Sequence, residues 1–254
     1  MTLLALDRIG HAFFGRTVIE RICLTVGPGE IVSLIGPSGS GKSTIAHVAA
    51  GLLEPREGAV RRAYRRHAMV FQDPRLLPWA TAAQNIALPL RLACVPPRDR
   101  AARVQEAAAR AGLLPEDLDK YPSELSGGMR QRTAIARALA PDPDFIYFDE
   151  PFTALDVALK RRMQDLLIAA AATTAGAGAR FAALFITHDL MEAIRISHRI
   201  LVLDAEGRGI AGERRVEGTP GHRADAMVFA LWQGYLGADP LFAHVHDIDE
   251  RRRP

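Results

Sequence analysis

The sequence predicts an α/β fold with a largely parallel central sheet. Short, predominantly apolar runs rich in β-branched and aromatic residues stand at 31–35, 145–148, 181–186 and 200–203, as in strands buried on both faces. Helical patterning separates them, clearest at 98–111 and 129–140, and such alternation builds parallel sheets with crossover helices. Clusters of Gly and Pro mark the breaks, as at Gly27-Pro28-Gly29 and from Glu54 through Gly58.

Residues 3–6 and 22–26 read as further strands, and a turn at 27–30 leads into the strand at 31–35. Gly36, Gly39 and Gly41 cannot continue that strand, so a helix is expected from about Lys42 to Leu53. Arg56, Arg61, Arg62, Arg65 and Arg66 read as a solvated hairpin edge, because only Tyr64 is interleaved with them. Beyond Glu206 the pattern weakens, and Arg251-Arg252-Arg253-Pro254 reads as a frayed tail.

The 254 residues are 48% hydrophobic and 24% charged, enough for a sizeable core and inconsistent with disorder, collagen or a disulfide scaffold. With aromatics at 6%, that core should be mostly Leu, Ile, Val and Ala. No apolar run reaches the ~18 residues of a membrane span, and the start of the chain lacks the basic-then-apolar pattern of a secretory signal. A cytosolic location is therefore expected. Lys42, Lys120 and Lys160 are the only lysines among 32 basic residues, a compositional preference for Arg, and a net charge of +3 is too small to argue for nucleic acid. Cys23 and Cys94 are far apart without CxxC spacing and are expected to be reduced, partly buried and chemically silent. His244 and His246 have no evident third ligand and read as solvated.

Gly36-Pro37-Ser38-Gly39-Ser40-Gly41-Lys42-Ser43-Thr44 matches GxxxxGK[ST] between an expected strand and an expected helix. Glycines let the backbone curl so that successive N–H groups face phosphate oxygens. The helix start adds free N–H groups and a positive dipole end. Lys42 then reaches the β- and γ-phosphates, and the Ser43 hydroxyl serves Mg²⁺. Such a loop also needs a carboxylate for the metal and a group to activate water. Asp149 and Glu150, directly after the apolar run at 145–148, supply both. Asp149 would hold Mg²⁺ and Glu150 would act as general base, a pairing that argues for hydrolysis over phosphoryl transfer to a metabolite.

Leu125-Ser126-Gly127-Gly128-Met129-Arg130-Gln131-Arg132 reads either as a Ser-capped helix start or as a second anion site. With it in place, the sequence resembles the ATP-binding subunits of ABC transporters over about residues 3–215. The resemblance implies a P-loop NTPase fold of the ABC type, with an N-terminal antiparallel β part. It also implies one ATP-binding domain over 3–235, a helical subdomain inserted at about 84–140, and a tail over 236–254. Two copies would sandwich two MgATP, with Ser126, Gly127 and Gly128 of each closing on ATP held by the other. Gln72 would sense Mg²⁺ and water, Asp156 would lie on the loop that crosses the dimer interface, and His188 would contact the γ-phosphate. Phe13 would stack on adenine, with adjacent Phe14 the alternative.

Chromosome-maintenance ATPases of this family carry long coiled coils between the two motifs, and the interval from Gly41 to Leu125 shows no sustained heptads. Translation-type members usually carry two cassettes, and one is present here. The run from Gln72 to Trp79 resembles the corresponding segment of nitrate, sulfonate and taurine importers. Trp79 and the Leu76-Leu77 pair read either as ordinary core residues or as part of the groove for a helix of the membrane subunit. The resemblance thus implies an ATPase that energises an importer of nitrate, sulfonate, taurine or a similar small solute, a thiamine-precursor pyrimidine included. The partners implied are a second copy, integral-membrane permease subunits and, indirectly, an extracytoplasmic solute-binding protein, with no nucleic acid. The location implied is the cytoplasmic face of the plasma membrane. The alternative is the same engine on an export or soluble partner.

Overall fold

In the computed structural model the described residues are 2–173, 181–204 and 208–243; His244, His246 and the 251–254 tail fall outside them. The elements in order are β1 (Leu4–Phe13), β2 (Arg16–Val26), β3 (Ile31–Ile35), α1 (Lys42–Ala50), β4 (Glu57–Arg62), β5 (His67–Val70), α2 (Ala82–Leu92), α3 (Pro97–Arg110) and α4 (Gly127–Leu139). Then follow β6 (Phe145–Asp149), α5 (Val157–Thr173), β7 (Ala182–Ile186), α6 (Leu190–Ile196), β8 (Arg199–Leu203), β9 (Ile210–Arg215) and α7 (Asp225–Ala238). The chain divides into two compact units, Met1–Tyr64 with Ile168–Pro254, and Arg65–Leu167. No helix among the described residues is long and apolar enough to cross a membrane.

In the first unit, β1 pairs antiparallel with β2 and with β4 in the order β2-β1-β4. This is the expected antiparallel part, although β1 runs on to Phe13 rather than stopping near residue 6. The two-residue loop Phe14-Gly15 joins β1 to β2 with φ of 49° and 81°, the left-handed pair whose twist suits a tight hairpin. In β2 burial alternates strictly from Arg21 to Val26. That period of two sends Cys23 to the solvent face with Arg21 and Thr25. Cys94 lies in the α2–α3 turn at φ 56°. Both cysteines are free and exposed, which corrects the expectation that they are partly buried.

The second sheet portion of this unit holds β3 between β7 and β8, all parallel, with β9 antiparallel on β8. Every residue of β3 and β7 is buried, as continuous apolar runs require. Helix α1 stops at Ala50 instead of Leu53, because Gly51 adopts φ 82° and its N–H closes back on His47 and Val48. Arg62, read from sequence as one of a solvated cluster, donates to the Val48 and Ala49 carbonyls at 2.7 Å. It thereby satisfies acceptors that the end of α1 leaves open.

In the second unit β5 and β6 pair in parallel. Helices α2, α3 and α4 pack around Ile86, Leu90, Val104, Ala107, Leu113 and Ala136. The core is largely aliphatic, with Phe145, Tyr147, Phe148, Phe185 and Phe242 fully buried among it.

Order persists past the expected domain end. The boundary at residue 235 falls inside α7, and Phe242 beyond it is 0% exposed, stacked on Tyr235 at 4.9 Å. It joins the cluster of Ile35, Leu190, Ile194, Ile200 and Val202. Arg223 braces the approach to α7. Its buried guanidinium donates to the carbonyls of Ile194, Ser197, Val216, Glu217 and Gly218, and burial pulls its pKa down to about 10.

Where β3 and β8 begin, Arg199 bonds the Glu30 carboxylate at 2.6 Å, and His198 Nδ1 accepts the Ile31 N–H at 3.0 Å. Burial opposes charge on Glu30, but bonds from Arg199 and the Gly27 N–H outweigh it and hold the carboxyl below its usual range. Burial also lowers the pKa of His198.

Two outcomes are expected. Phe242→Ala should cost about 3–5 kcal/mol in urea unfolding, whereas a dispensable tail would give almost nothing. A depressed histidine pKa favours the neutral ring in the fold, so its contribution is complete above the unfolded value of about 6.5 and is lost as pH falls through the folded value. Unfolding free energy measured against pH should decline below about 6.5, and His198→Asn, which keeps an acceptor, should flatten that part of the curve.

Candidate functional site

The phosphate loop lies wholly in the first unit. β3 ends at Ile35, and the chain turns through residues 36–41 before α1 starts at Lys42. Gly39 and Gly41 have φ of 80° and 86°, which side-chain-bearing residues resist. Space is a second constraint. A Cβ on Gly41 would stand 2.6 Å from Ile19 Cγ2, and one on Gly36 would stand 2.9 Å from Leu203 Cβ. No side chain caps α1, and its start faces the loop with the positive end of the helix dipole. Lys42, 6% exposed, lays its ammonium across the loop, 2.9 Å from the Gly36 carbonyl and 2.6 Å from that of Pro37. Pro37 O also accepts the Ser40 N–H at 3.2 Å. Ser38 and Ser43 are exposed and Thr44 half-buried.

Two further predicted residues belong to the same unit. Half-buried His188 follows β7 in a turn pinned on both sides. Thr187 Oγ1 donates to the buried Glu192 carboxylate and accepts the Asp189 N–H at 3.0 Å, while Asp189 caps α6 through the Glu192 N–H. Phe13 is 41% exposed with its ring edge-on to His11 at 4.7 Å, whereas Phe14 is fully exposed at the hairpin tip.

The acidic pair and the Ser-Gly-Gly run belong to the second unit. Asp149 ends β6 and is 5% exposed. Glu150 follows at φ 46°, a left-handed conformation that a non-glycine residue holds only under surrounding constraint. Thr153 Oγ1 donates to the Glu150 carbonyl at 3.1 Å, and Gln72 Nε2 donates to its carboxylate at 3.4 Å. Ser126 caps α4 by accepting the Met129 N–H at 3.2 Å. Gly127 is exposed, and a Cβ on Gly128 would meet Ala154 O at 3.6 Å, so the run lies beside the loop before Asp156. Asp156 caps α5, accepting the Leu159 N–H at 2.9 Å. Asp149 and the Ser43 hydroxyl are hard oxygen donors. Among the described residues no cluster of three or more His, Cys, Asp or Glu forms a metal cage. Oxygen donors of this kind suit Mg²⁺, which keeps several waters and takes substrate phosphate oxygens.

Several contributors were not anticipated. Glu192 and Thr187 hold the His188 turn, Thr153 holds Glu150, and Gln131 on α4 donates to the Phe71 carbonyl at 3.2 Å. The sequence offered Asp189-x-x-Glu192 as a cap signal, and Gln131 as a polar residue on an apolar helix face. A groove of about 710 Å³ also lies along α2 and α3, lined by Ala87, Val104, Ala108, Leu113 and Leu118 with Arg91 and Arg100 at hand. Trp79 and Leu76-Leu77 are not among the residues that line it. Trp79 is instead 73% exposed on a loop that buried Asn85 fixes through the Leu77 N–H and the carbonyls of Leu77, Ala80 and Thr81.

Residues 19–153 match the family model described as ABC transporter. The aliphatic sulfonates import ATP-binding protein SsuB 1 of Rhodococcus jostii is 41% identical, over 91% of this chain and 92% of its own. The taurine import ATP-binding protein TauB of Sinorhizobium fredii is 39% identical, over 91% of this chain and 85% of its own. A solved dimeric post-hydrolysis state of the ATP-binding cassette MJ0796, bound to ADP and Pi, has a TM-score of 0.76 and 29% identity, covering 85% of this chain and 99% of that one.

The two glycines give a graded test of the loop. Gly41→Ala meets both strain and collision and should lower ATP affinity at least ~10-fold, equivalent to ~1.4 kcal/mol. Gly39→Ala faces open space and should lose less. Titration with a fluorescent ATP analogue checks the order.

Proposed function

The chain belongs to the ABC transporter family, and from that premise we propose that it is the ATP-hydrolysing subunit of an importer for a small sulfonate, taurine or a similar solute. The relatives' import roles support the direction of transport. The observation that carries hydrolysis is Glu150, a carboxylate held at φ 46° with Gln72 on its oxygen. A carboxylate so held needs little reorganisation to take a proton from water. Lys42, with the N–H groups of Ser38, Gly39 and Gly41 and the start of α1, binds the phosphates. Mg²⁺, when bound, neutralises charge on the phosphate oxygens, and Ser43, Asp149 and Gln72 are the residues that would hold it or its waters. Lys42 and His188 stabilise charge on the transferring phosphoryl, and Phe13 stacks on the base.

Two copies act together. The free N–H groups at Ser126, Gly127 and Gly128 take the γ-phosphate held by the other copy, and Asp156 lies on the loop facing the partner. Closure reaches the permease through the segment after Gln72 and the apolar groove on α2 and α3, which fits a short helix of a membrane subunit. A solute-binding protein outside the membrane would deliver the solute, and the chain would sit on the cytoplasmic face.

Glu150→Gln should lower kcat by ~10²–10⁴, while leaving ATP binding intact. The closed pair should then persist and sediment as an ATP-dependent dimer. Hydrolysis at the wild-type rate, or a monomer at saturating ATP, would overturn this reading. Purification from native membranes in mild detergent should bring down a polytopic permease, and a soluble partner alone would overturn the importer assignment.

A further inference from the structure

Three side-chain bonds join the helix that begins at Ser126 to the chain around Gln72. Gln131, 1% exposed, donates from Nε2 to the Phe71 carbonyl at 3.2 Å. Further along α4, Arg137 donates to the carbonyls of Pro74 at 2.7 Å and Arg75 at 2.9 Å. The segment also closes on itself, with the Arg75 guanidinium 4.0 Å from the centre of the Phe71 ring. Gln72 stands between these anchors and donates to Glu150 at 3.4 Å.

Packing does not explain Gln131. Its buried Oε1 has no hydrogen-bond partner among the described residues. An orphaned buried acceptor is a cost that Met or Leu would avoid. What the carboxamide adds is one directed bond to the peptide immediately before Gln72.

We propose that Gln131 is a positioning residue that makes α4 and the 71–75 segment move as one body, so that capture of phosphate at Ser126 is passed to the Gln72–Glu150 pair of the same chain. This rests on the two-copy reading, in which Ser126 serves the partner's nucleotide and Glu150 its own chain's. Each site then senses whether the other is filled, which is positive cooperativity in ATP. Lying between two sites is not in itself coupling, so the test measures coupling directly.

Hydrolysis rate against ATP concentration would be compared for the full wild-type chain and Gln131→Met, which keeps side-chain length and helix propensity but loses the donor. Gln131→Asn, a carboxamide one methylene too short, is the second variant in case the first does not fold. The wild type should show a Hill coefficient above ~1, with two as the ceiling for two sites. Both variants should fall toward ~1 and need more ATP for half-saturation. Gln131→Met should keep or raise the thermal midpoint, because it removes the orphaned acceptor, and in both variants the affinity of the single chain for a fluorescent ATP analogue should stay unchanged. An unaltered Hill coefficient, or a loss of rate that only follows a lowered midpoint, would overturn the proposal. A non-cooperative wild type would overturn it while leaving the ATPase reading intact, and a wild type without hydrolysis would overturn both.

Discussion

Strands buried on both faces have little room for charged side chains along their length, so the chemistry collects at and just past their C-terminal ends. β3 is buried throughout, and the phosphate loop starts at the next residue. β6 is buried throughout and ends in Asp149 and then Glu150. β7 is buried throughout and is followed by Thr187 and His188. Each turn is then fixed by a different means: glycine backbone after β3, a strained peptide after β6, and a Thr–Glu hydrogen bond after β7.

The helices complete these turns. α1 has no capping side chain, because Gly41 precedes it, whereas α4, α5 and α6 are capped by Ser126, Asp156 and Asp189. A capping side chain occupies only one or two of the four donors at a helix start, so a capped helix can hold its own loop and still bind phosphate with the rest.

Much of this was legible in the sequence. The apolar runs gave β3, β6, β7 and β8 nearly to the residue, and fixed spacing gave the phosphate loop, because buried strands and glycine turns leave strong local patterns. The family itself came from the run at 125–132 read with the phosphate loop. Features whose cause lies far away were not legible. Cys23 is exposed by the register of β2, which a mixed apolar run conceals. Helix α2 was overlooked, although Thr81 and Gln84 form its capping box, because Pro89 interrupts the pattern. Helix α7 is apolar around most of its girth and shows no stripe, so the burial of Phe242 beyond it left no periodic trace. The bond from Gln131 to Phe71 spans sixty positions and is visible only in three dimensions.

The left-handed backbone at Glu150 sets activity against endurance. Such a conformation costs roughly 1–3 kcal/mol in a residue with a side chain. Glycine would relieve that strain, so the variant most comfortable at this position is one with no carboxylate to offer. A population of this gene propagated for heat resistance alone, with no demand for uptake, would find inactivation here to be an improvement. Persistence of an acid at position 150 would then be a record of continued use.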